Sequence, residues 1–493
     1  MKNSLMNSLR NHCSWIPARF ILVILGGFAV INAYTMRNVL SIAITEMTYK
    51  AAHNSTIYDD TCPSTDISMS KERPGYHWSE ELQGVILGAF YWGYTLLHVP
   101  GAILSAKYGG KYTLSLGILS TAILTLLTPT TIAYGGAYWL IALRVLQGFG
   151  EGTTFPALNT LLSAWIPMKE RSKAAAIVYG GAQIGNILTH LVSGLLIDHY
   201  KEWSAPFYFF GILGLVWFIL FELTCFKDPE SHPYITEKEK NYLKRELNQL
   251  SRSKDIKDTP WLKIITSVPM IALVVTQIGH SFGYFTVVTD LPKYMADVLK
   301  FNIKENGLYS TLPYVAMWIM SIIFGTISDW CLTKGFISLT NSRKLYTTLS
   351  FTIPGVFLVI ASFSGCDRMF AVLFFTIAMG FMGAYYSGMK ANNLDLSPNF
   401  AGAIMALTNG IGAIVGIINP YIIGVLTPNR TISEWRNVFY ISCGFLTFTN
   451  IIYLLFGSAK KQPWDDPSSS SNKIIENGIE NSENSKSDDI KKL

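Results

Sequence analysis

The stretch YWLIALRVLQGFGEGTTFPALNTLLSAWIP, from Tyr138 to Pro167, decides how the chain is read. It is long enough to cross a bilayer as a helix, which takes about 20 mainly apolar residues. Within it stand Arg144 and Glu151, seven residues apart and so on one helical face, two turns from each other. A charge at mid-membrane costs roughly 2.5–3.5 kcal/mol even on the mild insertion scale, so such residues persist where they face a bundle interior or water. Gly148, Gly150 and Gly152 let a neighbouring helix backbone come close. Two readings are open. One is a structural ion pair that locks two helices. The other, favoured here, is a proton- or anion-handling pair in a transport path.

The rest of the chain has the same character. Its 493 residues are 50% hydrophobic and only 15% charged, against roughly 25% charged in soluble domains. That shortfall and the many long apolar runs predict a polytopic membrane protein, in contact with the lipid bilayer. The net charge of +6 sits largely in loops and tails, where it reads as a topology signal and not as a nucleic-acid footprint. Six cysteines (Cys13, Cys62, Cys225, Cys331, Cys366 and Cys443) have no metal-like spacing. Cys62 and Cys366 both suit an oxidising side, and whether they pair is open. The first apolar run is too long for a cleavable signal and is expected to act as the signal itself.

Apolar spans are predicted at 20–47, 82–105, 112–133, 138–165, 174–197 and 205–226, then at 264–290, 306–330, 345–363, 369–394, 402–426 and 438–456. Two six-helix halves result, at 20–226 and 264–458, joined by a charged, partly helical connector at 227–263. Residues 1–19 form a short N-terminal segment, and 459–493 a Ser/Asn/Lys/Asp-rich tail expected to be disordered. Basic residues collect in alternate loops: Lys107 and Lys111, Lys169, Arg171 and Lys173, Lys334, Arg343 and Lys344, and Lys460 and Lys461. These loops are therefore read as cytoplasmic, together with both termini. The glycosylation sequons at Asn54 and Asn429 both fall in loops on the opposite side. Duplicated six-span halves are an architecture of secondary transporters.

Several stretches together resemble the major facilitator superfamily, and within it the solute carrier family 17 anion transporters. They are ILGAFYWGYTLLHVPGAILSAKYGGK (Ile86 to Lys111), RVLQGFGEGTTFPA (Arg144 to Ala157), IPMKERSKAA (Ile166 to Ala175), PESHPYITEKEKNYL (Pro229 to Leu243), LPKYMADVLKFNIKENGLYSTLPY (Leu291 to Tyr314) and NNLDLSPNFAGAIMALTNGIGAIVGIINP (Asn392 to Pro420). The chain is most similar in flavour to the invertebrate branch labelled inorganic phosphate cotransporters, beside sialic acid carriers. The resemblance implies an all-α fold of twelve transmembrane helices and a substrate that is a small organic or inorganic anion: phosphate, sialate or another carboxylate. It implies coupling to H⁺ or Na⁺ with no further cofactor, a monomer, and a plasma or lysosomal/vesicular membrane.

Site residues follow in the same way. Arg37, in TMRNVLSIAI, matches the arginine that meets the substrate's negative charge; a guanidinium offers a fixed fork of donors to carboxylate or phosphate. Glu151 matches the proton-coupling acid, and Arg144 the arginine that partners it. The chain departs from the family pattern at Asn159, where histidine is usual, at Phe155, where tyrosine is, and at Leu87, where vesicular glutamate carriers have histidine. His280 stands where those carriers have a second substrate arginine. One firm arginine with a titratable histidine suits a smaller or singly charged anion better than a dicarboxylate. His280 is equally open to a packing role. Tyr91 and Asn409 complete the candidate lining, Tyr91 against the alternative of simple packing; Asp395 reads as a helix cap before Pro398. The competing function is an anion-binding receptor-like or channel-like protein without coupled flux. An enzyme is excluded by the lack of any paired acid/base or nucleophile arrangement.

Overall fold

A computed structural model describes residues 17–48, 62, 75–251 and 259–465. The described residues are helical apart from turns and one isolated bridge between Thr48 and Tyr76. Helix starts are written in short polar side chains. Ser79, Ser338 and Asp367 each accept a bond from the backbone three residues on, and Asn302 with Glu305 and Thr431 with Glu434 form full capping boxes. These bonds satisfy amide donors that a helix leaves orphaned at its start.

The first half comprises α1 (Ala18–Met47), α2 (Glu80–Tyr108), α3 (Gly110–Gly152), α4 (Thr154–Trp165), α5 (Met168–Tyr200) and α6 (Ala205–Thr224). Two connector helices follow, α7 (Glu237–Ser251) and α8 (Trp261–Ile265). The second half comprises α9 (Val268–Asp297), α10 (Ile303–Thr333), α11 (Leu339–Ser362), α12 (Arg368–Met382), α13 (Met389–Leu396), α14 (Ala401–Leu426) and α15 (Ile432–Phe456). Among the described residues, nine stretches are long and apolar enough to cross a bilayer. One of them, Gly110–Trp165, runs for 56 residues, or roughly 80 Å of helix, which is two crossings. With α2 and α5 the total reaches twelve. α5 falls short of the apolar threshold because its inner face is polar: Asn186, Thr189, His190 and Ser193 are all buried.

The elements depart from the sequence-based expectation in three places. The third and fourth crossings have no loop between them; the helix turns at Gly136, whose φ of 62° and ψ of −152° suit a residue without a side chain. The tenth crossing is broken into α12, a 3₁₀ turn at Gly383–Tyr386, and α13. The start of the tail is folded, since Trp464 and Asp465 are buried and the Asp465 carboxylate accepts from the Asn399 backbone at 3.1 Å and from Ser397. Hydrogen bonds from Ser397 and the Lys461 ammonium hold the Asp465 carboxyl below its ordinary pKa against burial.

Each half has its own apolar core. The loops rich in Lys and Arg gather at one end, tied by Lys111 to Glu222 (3.1 Å), by Arg19 to Glu170 and Glu239 (3.0 Å each), and by Arg343 to Asp395 (2.6 Å). Asp395, read as a helix cap, is thus an ion-pair partner. At the opposite end the halves touch. A Cβ on Gly194 of α5 would lie 2.8 Å from the Cα of Gly307 in α10, so only glycine permits that approach. Glu80 of α2 reaches Lys293 of α9 at 2.5 Å and Arg430 at 2.6 Å. Towards the basic-loop end the halves part. Tyr386, which bonds Gln183 across the gap, is 42% exposed there.

A disulfide joins Cys62, in the loop after α1, to Cys366, in the loop before α12. It links the two halves at their touching end, where the Cys62 amide also donates to the Val298 carbonyl at 3.1 Å. An impermeant maleimide is therefore expected to label Cys366 in Cys62→Ser, and in the unsubstituted protein only after reduction, as read by mass spectrometry of the labelled peptide. Labelling of unreduced Cys366 would contradict the bridge.

Candidate functional site

The centre of the first half is assembled where α2 crosses α3. A Cβ on Gly148 would lie 2.7 Å from the Tyr94 amide nitrogen and 3.1 Å from the Gly93 Cα, so both helices need glycine at the crossing. That approach sets Phe90, Tyr91 and Tyr94 against Arg37, which is buried within α1. The Arg37 Nη2 donates to the Glu151 Oε1, and both side chains are nearly sealed from solvent. Four rings surround the guanidinium: Tyr34 at 4.5 Å, Phe90 at 4.9 Å, Tyr94 at 5.0 Å and Tyr91 at 5.9 Å from its central carbon. Their π-faces attract a cation most strongly where water is excluded.

Arg144, expected to partner Glu151, lies within Coulombic reach of it but places its hydrogen bonds elsewhere. Its Nη2 donates to the Arg37 carbonyl at 3.0 Å, its Nη1 to the Gln147 Oε1 at 3.2 Å, and Gln147 in turn donates to Thr125 at 3.1 Å. A shared helical face fixes the direction in which Arg144 points, but its long side chain finds the α1 backbone first. Arg144 thereby anchors the segment that carries Arg37, and Arg37 takes the carboxylate. The pair retains unused capacity, because the Arg37 Nε and the Glu151 Oε2 are buried without a hydrogen-bond partner.

The remaining candidates are distributed around this centre. Tyr91 packs edge-on against Phe285 of α9, with ring centroids 4.9 Å apart, and so bridges the halves. His280 lies in the second half, stacked on Tyr385 at 3.7 Å and parallel to Tyr284 at 5.9 Å, with its Nε2 unpartnered. It belongs to an aromatic stack and does not touch Arg37. Asn159 accepts from Tyr179, two turns beyond Glu151 towards the basic-loop end, and is not part of the central pair. Asn409 accepts from the Lys390 ammonium at 2.6 Å. Asn429 is exposed at the touching end and donates to Glu434 at 2.7 Å; Asn54 lies outside the described residues.

Several residues went unread in the sequence. Tyr34, one turn before Arg37, had a signal in its spacing of three on the same helical face. Asn38 donates to Asn186 at 2.6 Å, and Asn186 donates to Tyr284 at 3.3 Å, a polar chain from one half to the other. Lys390, a lysine within an apolar span, was the plainest missed signal. A groove of about 750 Å³ between α2 and α3, lined by Leu97, Leu104, Leu116 and Phe149 among others, holds none of these residues.

Residues 26–420 match the sequence profile of the Major Facilitator Superfamily. The chain is 39% identical over 447 residues to a Drosophila ananassae protein named "Putative inorganic phosphate cotransporter", covering 89% of this chain and 92% of that one. It is 39% identical over 456 residues to human sialin, covering 91% and 90%. Among solved structures, a bacterial homologue of the human lysosomal transporter Spinster, inward-facing and occupied, superposes with a TM-score of 0.67 at 14% identity, covering 90% of this chain and 99% of that one.

Removing one member of a buried ion pair leaves an uncompensated charge, at a cost of roughly 3–5 kcal/mol. Arg37→Met and Glu151→Leu are each expected to lower the thermal unfolding midpoint of the detergent-solubilised protein, and the double variant to recover much of the loss. Losses that simply add would contradict a direct pair.

Proposed function

The chain belongs to the major facilitator superfamily and, within it, to the solute carrier family 17 anion transporters, and from that premise we propose that it carries a small organic or inorganic anion together with a proton. The observation that supports this is the shared guanidinium. Arg37 has one planar fork of donors, and Glu151 occupies it when ionised. A substrate carboxylate or phosphate seeks the same donors. Protonating Glu151 frees them, since a neutral carboxyl holds a guanidinium far less strongly. Proton and anion therefore load together, and an anion arriving at Arg37 favours the protonated form of Glu151.

Alternating access supplies the rest. The halves meet at the disulfide-bearing end through Glu80, Lys293 and Arg430 and part at the other, which favours the basic-loop side as the side from which the sealed central pair is reached. Rocking one half against the other breaks this cluster and exposes Arg37 to the opposite face. The basic loops support a cytoplasmic position for both termini, with Asn54 and Asn429 as glycosylation sites across the membrane. The relatives' names support a substrate among phosphate, sialate and other carboxylates, and we read the protein as a monomeric carrier of a plasma or lysosomal/vesicular membrane.

The test is uptake into proteoliposomes of phosphate, sialate, glutamate, aspartate and urate, driven in turn by a proton and by a sodium gradient. Uptake of at least one anion is expected to rise as the loading side is made more acid, because acid frees Arg37. Glu151→Gln is expected to lose that pH dependence and Arg37→Ala to lose uptake tenfold or more. Uptake driven by sodium alone, with the pH profile unchanged in Glu151→Gln, would contradict the proposal.

A further inference from the structure

Lys390 is a second cation in the interior that the pairing scheme does not use. It is the second residue of α13, placed there by the 3₁₀ turn that breaks the tenth crossing, and it is half-buried. Several other cations of the described spans meet a carboxylate. Arg37 has Glu151, Lys293 has Glu80, Arg343 has Asp395 and Lys111 has Glu222. Lys390 meets no carboxylate among the described residues. Its ammonium donates to the Asn409 Oδ1 at 2.6 Å and lies 5.9 Å from the centroid of Tyr385. An ammonium has three donors, and Asn409 uses one of them. Because Asn409 accepts through its oxygen, its amide nitrogen remains a donor beside the same spot.

Ring contacts connect Lys390 to Arg37. From the Arg37 cage a continuous run of rings crosses to the second half: Tyr91 to Phe285 at 4.9 Å, Phe285 to Tyr284 at 5.7 Å, Tyr284 to His280 at 5.9 Å, and His280 to Tyr385 at 3.7 Å. Tyr385 is the ring against which Lys390 lies. A run of contacting rings thus links the two cations, Arg37 deep in the first half and Lys390 half-buried in the second. Holding an unanswered charge within a span is unfavourable, a cost that a second anionic group on the cargo offsets.

We propose that Lys390 and Asn409 form a second anion subsite, so that the cargo is a two-headed anion with one negative group on Arg37 and the other on Lys390. The inference rests on the carrier reading and revises one expectation from the sequence: His280 in place of a second arginine pointed to a singly charged anion, whereas Lys390 restores the missing positive charge from another helix.

Binding of glutarate and of valerate, a dicarboxylate and a monocarboxylate of equal chain length, to the purified full-length protein tests this by titration calorimetry. The unsubstituted protein is expected to bind glutarate at least tenfold more tightly. Lys390→Met is expected to bring the ratio of the two affinities close to one, Lys390→Arg to restore it, and Arg37→Met to weaken both ligands. A ratio near one in the unsubstituted protein, or a preference for glutarate that survives in Lys390→Met, would overturn the subsite. Failure of proton-driven uptake, with the preference intact, would instead count against the carrier reading alone.

Discussion

Burying a guanidinium beside a carboxylate constrains everything around it. Each ion loses its hydration, and their mutual attraction compensates only if the geometry is held and the remaining donors are satisfied. The first half is built to meet that demand at Arg37 and Glu151. Glycines at the crossing of α2 and α3 bring three aromatic rings within reach, Tyr34 closes the fourth side, and Arg144 clamps the α1 carbonyl of Arg37 itself. Two atoms of the pair nevertheless stay unbonded. An arrangement optimised only for stability would satisfy them; one that exchanges partners leaves them open.

The second constraint is that this centre must be reached from two sides in turn. The contacts that hold the halves together are concentrated at one end, where Gly194 meets Gly307 and where Glu80 is gripped by Lys293 and Arg430 from the other half. Glu80 and Lys293 are both almost fully buried, so separating them requires rehydrating two charges, a barrier that favours discrete end states over gradual opening. The disulfide between Cys62 and Cys366 bridges the same end.

Much of the fold was legible in the sequence because a bilayer imposes a strong rule: a span must be apolar, and what is charged within it stands out. The twelve crossings, the duplicated halves and the isolated positions of Arg37 and Glu151 all follow from that contrast. Partner choice was less legible. Periodicity says which face Arg144 occupies but not that the α1 carbonyl lies closer to it than Glu151. Lys390 is as anomalous in its span as Arg37, yet its meaning depends on a break in the helix at Gly383–Tyr386 that apolar patterning does not reveal. Asp395, expected to cap a helix, instead answers Arg343 from 52 residues away. The folded start of the tail depends on Asp465 meeting Ser397 and Asn399, contacts that span two polar segments with no periodicity to read.

The central claim is that anion and proton are exchanged at one guanidinium, and its most direct test is the proton count of binding. Titration calorimetry of the purified protein with a bound anion, repeated in buffers of different ionisation enthalpy at pH 7, reports how many protons accompany each anion. The account predicts net uptake of a proton on binding, abolished in Glu151→Gln while the anion still binds. Binding without proton uptake, or uptake that persists in Glu151→Gln, would contradict it.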